Sequence, residues 1–410
     1  MRLPPIRSVF ATLVALSAAS ALPAQNQLAP LIQAARSELR IPDKYIVVLK
    51  SGAQASVVAS RHGVVAENTY DSAVQGFSGR LTLRQLLALA LDRQIAYIEE
   101  DQVVRISNDT VAPGIRRIGA DLNAKARIDT SNLESVNVDI AIIDTGIQLK
   151  HPDLNVVQNV SYVSGIRTGN DDNGHGTHCA GIAAARDNNA GVVGVAPGAR
   201  LWAVKVLDRA GSGSYSNVIK GVDYVTRYAS SIEVANMSLG GPTSVTLNSA
   251  IANSVARGVV YVVAAGNSNV DASSSSPANS PDVICVSATV DTDGIPGGFG
   301  PATGYGADDT FASFSNYGAV VDIAAPGVNI LSTYIGGQYA TMSGTSMAAP
   351  HVAGAAGLYL AGRTKPTNAT AAAAARAAIV AAGHLQSSPS GLKGADKDAS
   401  PEPLLNATNL

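Results

Sequence analysis

The sequence predicts an α/β protein, a parallel sheet flanked by helices, preceded by a small α+β domain of the split βαβ type. Three observations carry this. Largely apolar runs at Val138–Ile143, Arg200–Val206, Val234–Met237 and Val259–Val263 suit strands buried on both faces, and helical stretches lie between them. Upstream, a β-α-β-β-α-β order fits between residues 45 and 98, which makes a separate small domain. The 410 residues are 46% hydrophobic and only 15% charged, enough apolar side chains for one large core and a smaller one.

Taken in order, the chain opens like an export signal. Arg2 and Arg7 give a positive start, Val9 to Ala19 is apolar, and small residues allow cleavage after Ala21 or Ala24. The apolar run is too short to span a bilayer comfortably, so residues 1–24 read as a signal peptide rather than an anchor. In the small domain, Pro42 and Asp43 introduce a strand at Tyr45–Leu49, Ala53 to Arg61 is helical and stops at Gly63, and strands follow near Thr69–Val74 and Phe77–Leu81. Leu83 to Leu91 is helical and Ile95 to Ile98 is a strand. Ser107 to Gly114, polar and carrying Pro113 and Gly114, reads as a junction, so the expected domains are 25–110 and 111–410.

In the larger domain, Asn217 to Tyr228 sets Val218, Val222 and Val225 on one helical face. Thr246 to Arg257 ends at Gly258, and Ala371 to Ala382 ends at Gly383, both positions where glycine stops a helix. In such sheets ligands bind at the carboxyl ends of strands, so side chains there are the first candidates for chemistry.

Three candidates stand out, each with a plain alternative. Asp144 follows the run Val138–Ile143: it orients a catalytic histidine, forms half of a carboxylate dyad, or caps a turn. The dyad needs a second Asp-Thr/Ser-Gly, and Asp291-Thr292-Asp293-Gly294 fails that pattern. His175 sits between glycines at a helix start, and with His178 it also forms a His-x-x-His pair, although no Glu stands between them as metal hydrolysis of that type requires. Ser346 lies in Ser343-Gly344-Thr345-Ser346-Met347-Ala348-Ala349-Pro350, with Pro350 expected in the first helical turn; it is a nucleophile at a helix N-terminus or a simple N-cap. Cys179 is a small buried side chain or a thiol nucleophile beside His178; with Cys285 it makes up the cysteine content, and the spacing demands no disulfide. Net charge is −2 with no extended Lys/Arg stripe, which argues against nucleic-acid partners.

The order Asp, His, Ser is that of subtilisin rather than chymotrypsin or the α/β-hydrolases. Here the resemblance becomes specific. Ala141-Ile142-Ile143-Asp144-Thr145-Gly146, Gly174-His175-Gly176-Thr177-His178 and Gly344-Thr345-Ser346-Met347-Ala348 resemble the three signature segments of the subtilases, the subtilisin and proteinase K family.

The resemblance implies a subtilisin-like fold and a secreted serine endopeptidase, in which Asp144, His175 and Ser346 form the triad and Asn267, in Ala264-Ala265-Gly266-Asn267, donates to the oxyanion. It implies protein or peptide substrates that pair as an added strand with Gly211-Ser212-Gly213 and with Ser238, Leu239 and Gly240, while Ala265 and Gly266 line an uncharged first pocket and Tyr215 one further out. That pocket is expected to prefer apolar or aromatic residues. No cofactor is implied for catalysis. Structural calcium is implied at Asp153 with Asn188, and at Asp322 with the carbonyls of Pro281 and Val283. Residues 25–110 resemble the family's inhibitor-type propeptide, an intramolecular partner cut free between Ile106 and Ala112. The glycine-rich segment Asp293 to Asp309 is an insertion with no function attached.

Overall fold

A computed structural model describes residues 28–33, 40–102, 109–128, 135–394 and 396–410. They fall into two compact units, one within Met1–Arg105 and one within Ile106–Leu410. The expected signal segment, and residues 106–108 of the stretch between Ile106 and Ala112, lie outside the described residues.

The first unit contains β1 (Leu31–Ile32), β2 (Arg40–Leu49), α1 (Ala55–Arg61), β3 (Asn68–Tyr70), β4 (Gly76–Arg80), α2 (Leu83–Ala90) and β5 (Ile95–Gln102). Its sheet runs β1-β5-β2-β4-β3, with β2 antiparallel to both β4 and β5. The β-α-β-β-α-β order is as read from the sequence, with the short parallel β1 added at one edge. Two strands outrun their apolar cores. β2 begins at Arg40 and passes Pro42 through an irregular register between Arg40 and Tyr45. β5 continues through Glu99-Glu100-Asp101, where the buried Glu100 carboxylate is held by Arg40 at 3.1 Å. Thr82 caps α2 in a reciprocal box with Gln85, a device worth about 1 kcal/mol. Leu86, Leu89, Val47, Phe77 and Ile98 form the core.

The second unit opens with α3 (Pro113–Arg117). Pro113 and Gly114 therefore start a helix instead of breaking the chain, because proline at the first helical position forfeits only a donor that has no partner there. Then follow β6 (Asp139–Asp144), β7 (Val156–Ser161), α4 (His175–Ala184), β8 (Arg200–Lys205), α5 (Tyr215–Arg227), β9 (Val234–Met237), β10 (Gly241–Pro242), α6 (Val245–Val255) and β11 (Val260–Ala264). The chain continues with β12 (Ser275–Ser276), β13 (Val283–Thr289), β14 (Ile323–Pro326), β15 (Ile330–Tyr334), β16 (Gln338–Met342), α7 (Thr345–Leu360) and α8 (Ala369–Ala381).

A seven-stranded sheet runs β14-β13-β11-β9-β6-β8-β7, every pairing parallel. Strands β6, β9, β11 and β13 are buried along their whole length, as their apolar sequences require. After β6 the chain builds β8 and β7 on one side, then crosses to β9, β11, β13 and β14 on the other. The carboxyl end of β6 beside β9 is thus a topological switch point, where such sheets open a crevice. Helix α7 packs on α4 and against β9, β11, β13 and β14, while α5 pairs with α6. Pro350 is not in the first turn of α7 but is its sixth residue, inside the helix.

Candidate active site

Asp144 ends β6 and has no exposed surface, because the parallel strands on both sides cover it. Its Oδ1 lies 2.8 Å from Nδ1 of His175, whose side chain keeps 22% of its surface exposed. Burial lowers the imidazole pKa, but the Asp144 charge, its hydrogen bond and the charge of Asp171 outweigh this, so His175 sits above the usual 6.5.

His175 is the first residue of α4, and the approach of that helix to β6 depends on Gly176. A Cβ there would fall 2.1 Å from the Gly146 carbonyl oxygen and 3.1 Å from Asp144 Cβ. Asp171 anchors the same helix end. Its Oδ1 accepts from the backbone N–H of Asn173 and Gly174, and its Oδ2 accepts from Thr177 N at 3.0 Å and Thr177 Oγ1 at 2.6 Å. Beneath the Asp144 turn, the buried Lys205 ammonium donates to Thr145 O, Leu207 O and Asp172 Oδ1. Asp171 and Lys205 did not stand out in the sequence. An acid a few residues before a helix start was the available signal for the first; a lysine ending an apolar strand gave none.

Ser346 is the second residue of α7, and its Oγ donates to the Ser238 carbonyl at 3.3 Å. Asn267 follows β11 across from it. Asn267 Oδ1 accepts from Thr345 N at 2.8 Å and Thr345 Oγ1 at 2.9 Å, so the amide oxygen is held against α7 and the donor Nδ2 is turned to the other side. Asn316 shapes the turn that carries Asn267. Its Nδ2 donates to Ala265 O, and its Oδ1 accepts from Ser268 N and Val270 N. Gly266, at φ 105°, lets that amide come close, since a Cβ would fall 2.5 Å from Asn316 Nδ2.

One cleft of about 690 Å³ is lined by His175 and Ser346 together with Gly211, Ser212, Gly213, Tyr215, Ser238, Leu239 and Gly240. A second cavity of about 280 Å³ that also reaches Ser346 is lined by Ser238, Leu239, Gly240, Ala265, Gly266 and Asn267, with no charged side chain among its lining residues. Every residue that the sequence assigned to triad, oxyanion or substrate thus lines these two cavities or stands against them. Tyr215 ties the two flanking segments by donating from its hydroxyl to Pro242 O at 2.5 Å.

Cys179 and Cys285 are both free and fully buried, and burial pushes both thiols well above 9. A thiol so held is a protonated side chain, not a nucleophile.

The two sites expected for calcium differ. Asp153 is buried, accepts from Asn188 Nδ2, Val192 N and Tyr339 OH, and burial together with the nearby Asp109 charge pushes its pKa to about 6. Two neighbouring carboxylates suit a hard cation, although Asp153 is met here by N–H and O–H donors and Asn188 turns its amide nitrogen, not its oxygen, toward it. Asp322 does not fit such a cation. The Arg376 guanidinium already fills the cation's place, donating to Asp322 Oδ1 at 2.5 Å and to Pro281 O, while Asp322 Oδ2 accepts from Cys285 N at 2.8 Å. Where a second calcium was expected, the Arg376 guanidinium supplies positive charge to Asp322.

The insertion Asp293–Asp309 is tied down by its own acids. Asp309 Oδ2 accepts from Gly297 N and Gly298 N, Asp308 from Thr292 N and Gly300 N, and Arg117 pairs with Asp309 at 2.6 Å and Asp291 at 3.1 Å.

The subtilase family profile matches residues 135–396, and the peptidase inhibitor I9 profile matches residues 44–107. The chain is 38% identical over 361 residues to the alkaline serine protease ver112 of Corniculantispora psalliotae, covering 85% of this chain and 88% of that one. It is 38% identical over 336 residues to subtilisin E of Bacillus subtilis (strain 168), covering 80% and 82% respectively. The crystal structure of a cold adapted subtilisin-like serine proteinase superposes with a TM-score of 0.57 at 34% identity, covering 73% of this chain and 99% of that one. The chain belongs to the subtilase family and is a subtilisin-like serine protease carrying an inhibitor I9 propeptide domain.

Proposed function

We propose that the protein is a secreted endopeptidase, made as a self-processing precursor, that cleaves peptide bonds through Asp144, His175 and Ser346. The observation that carries this is the 2.8 Å pairing of Asp144 with His175 Nδ1 at the mouth of a cleft that Ser346 also lines. Neutral His175 takes the Ser346 hydroxyl proton on Nε2 as Oγ bonds to the peptide carbonyl carbon, and the carbonyl oxygen becomes an oxyanion. Asn267 Nδ2 and the Ser346 N–H, a donor that a helix N-terminus leaves without an intrahelical partner, stabilise that charge. As the C–N bond breaks, the imidazolium returns its proton to the leaving amine. Water, activated by the same histidine, then cleaves the acyl ester and restores the serine. Asp144 keeps Nδ1 protonated and stabilises the imidazolium.

The uncharged second cavity beside Ser346 supports a broad preference for apolar or aromatic residues at the cleaved position. Gly211–Gly213 and Ser238–Gly240 are the edges on which a substrate chain would add as a strand. Asp153 and Asn188, with Asp109, would hold a calcium ion that staples the 186–192 loop and takes no part in the chemistry. Residues 1–24 direct export, and 25–110 assist folding of a sheet rich in non-local contacts, then occupy the cleft until cut free between Ile106 and Ala112.

The test is expression of the full chain beside Ser346→Ala. Wild type is expected to shorten itself by roughly the first hundred residues and to hydrolyse casein until a reagent for active serines is added. Ser346→Ala is expected to remain full length and inactive. A matured wild type that leaves casein intact overturns the reading.

A further inference from the structure

In an α-helix the carbonyl of residue i is closed by the N–H of residue i+4, and proline has no N–H. Pro350 therefore leaves the Ser346 carbonyl without its intrahelical donor. A buried carbonyl in that position needs a replacement. It receives two, both from outside the helix. Ser238 Oγ donates to Ser346 O at 2.8 Å, and the Cys179 thiol donates to the same oxygen at 3.3 Å.

Neither donor is adventitious. Ser238 directly follows β9, next to the switch point, and its hydroxyl accepts from the fully buried Asn236 Nδ2 at 3.0 Å, which orients its own proton toward Ser346. Cys179 lies four residues after His175, on the same face of α4. Ser238 also grips the other end of the serine, since its carbonyl accepts from Ser346 Oγ at 3.3 Å.

We propose that Ser238 Oγ and Cys179 Sγ–H are positioning residues that stand in for the missing Pro350 N–H. They fix the Ser346 peptide, and with it both the nucleophile's Oγ and its oxyanion-binding N–H, relative to the helix that carries His175. Ser238 thereby acts through its hydroxyl on the serine and through its backbone on the substrate. The inference rests on the reading of Ser346 as the nucleophile. Its physical motive is that misplacing a reacting atom by an ångström costs far more than the hydrogen bond that held it.

The test uses matured protease, with active sites counted by a fluorophosphonate reagent and kcat and KM measured separately on a small chromogenic peptide. Ser238→Ala is expected to lower kcat roughly tenfold, with KM within about twofold, and to slow labelling by the reagent in parallel. Ser238→Ala combined with Pro350→Ala is expected to recover most of that loss, because residue 350 then supplies the N–H itself. Cys179→Ser, which keeps a donor, is expected to outperform Cys179→Ala, the reverse of what a mere apolar filler predicts. An unchanged kcat in Ser238→Ala, a rise in KM alone, or a double variant no faster than Ser238→Ala overturns the inference. If the reagent labels wild type somewhere other than Ser346, the nucleophile assignment falls instead, and the two failures are thereby told apart.

Discussion

Asp144 Oδ1 and His175 Nδ1 stand 2.8 Å apart, the carboxylate wholly buried and the imidazole edge open to the cleft. Because Asp144 supports the charged imidazole, His175 titrates above 6.5, and the neutral form needed as a base accumulates only above that pH. The kcat/KM profile on an uncharged peptide is expected to rise with pH through a midpoint above 6.5. Asp144→Asn removes both the charge and the acceptor. It should cut kcat by about 10⁴ and move the acidic limb to lower pH. A limb that stays in place would separate Asp144 from the titrating group.

Thr345 holds the oxygen of Asn267, which leaves its amide hydrogens for the second cavity. Asn267→Ala is expected to lower kcat by about 10²–10³ with little change in KM. Asn267→Asp should be at least as slow, since the oxygen replacing Nδ2 accepts and does not donate. Steady-state kinetics on one peptide distinguish this from a packing role, which would appear in the melting temperature instead.

Arg376 takes the place expected for a cation between Asp322 and Pro281. Burial raises the Asp322 pKa and Arg376 opposes that, so removing the guanidinium strands a largely buried carboxylate. Arg376→Ala should lose roughly 1–3 kcal/mol of stability. Calcium should recover part of the loss in Arg376→Ala and change nothing at this position in the parent. Thermal unfolding of Ser346→Ala proteins, which cannot digest themselves, with and without a chelator reads both effects.

His178 and His351 are fully buried, and burial depresses both to about 4. A histidine whose pKa falls on folding stabilises the fold above 6.5, and that contribution drains away as pH drops toward 4, because the unfolded chain takes up the proton first. Each is worth on the order of 3 kcal/mol at neutral pH. Glu402, pushed by burial to about 7, works in the opposite direction, so the difference between variants is the useful measurement. In the Ser346→Ala background, replacing His351 by Met should flatten the fall in stability between pH 6.5 and 4. An unchanged slope would mean that His351 is not held neutral.

The sequence carried the central strands because burial on both faces leaves an unbroken apolar run, and β6, β8, β9 and β11 lie within a residue or two of where those runs place them. It did not carry β7, an edge strand whose Val-Val-Gln-Asn-Val-Ser is half exposed and so has no run to read. Nor did it carry β13, although that strand is buried along its length, or β14, four residues long and closed by Pro326, or the β15–β16 hairpin. The positions proposed for the triad were legible from three motifs. The residues that hold them were not, because Lys205, Asn316 and Thr345 act through contacts between segments far apart in the chain, while Asp171 acts locally on its own helix start without any motif to mark it.

By itself the sequence pointed to the class of fold, the two-part organisation and Asp144, His175, Ser346 and Asn267 as the candidate site, since each rests on local pattern or on residue type at fixed spacing. Only the tertiary structure shows which donors meet the Ser346 carbonyl in a helix with proline inside it, that Arg376 stands at Asp322, and that both cysteines are free and buried. Those outcomes depend on which donor reaches a buried oxygen first, and that is set by packing between α4, α7 and the strand ends rather than by any stretch of chain read alone.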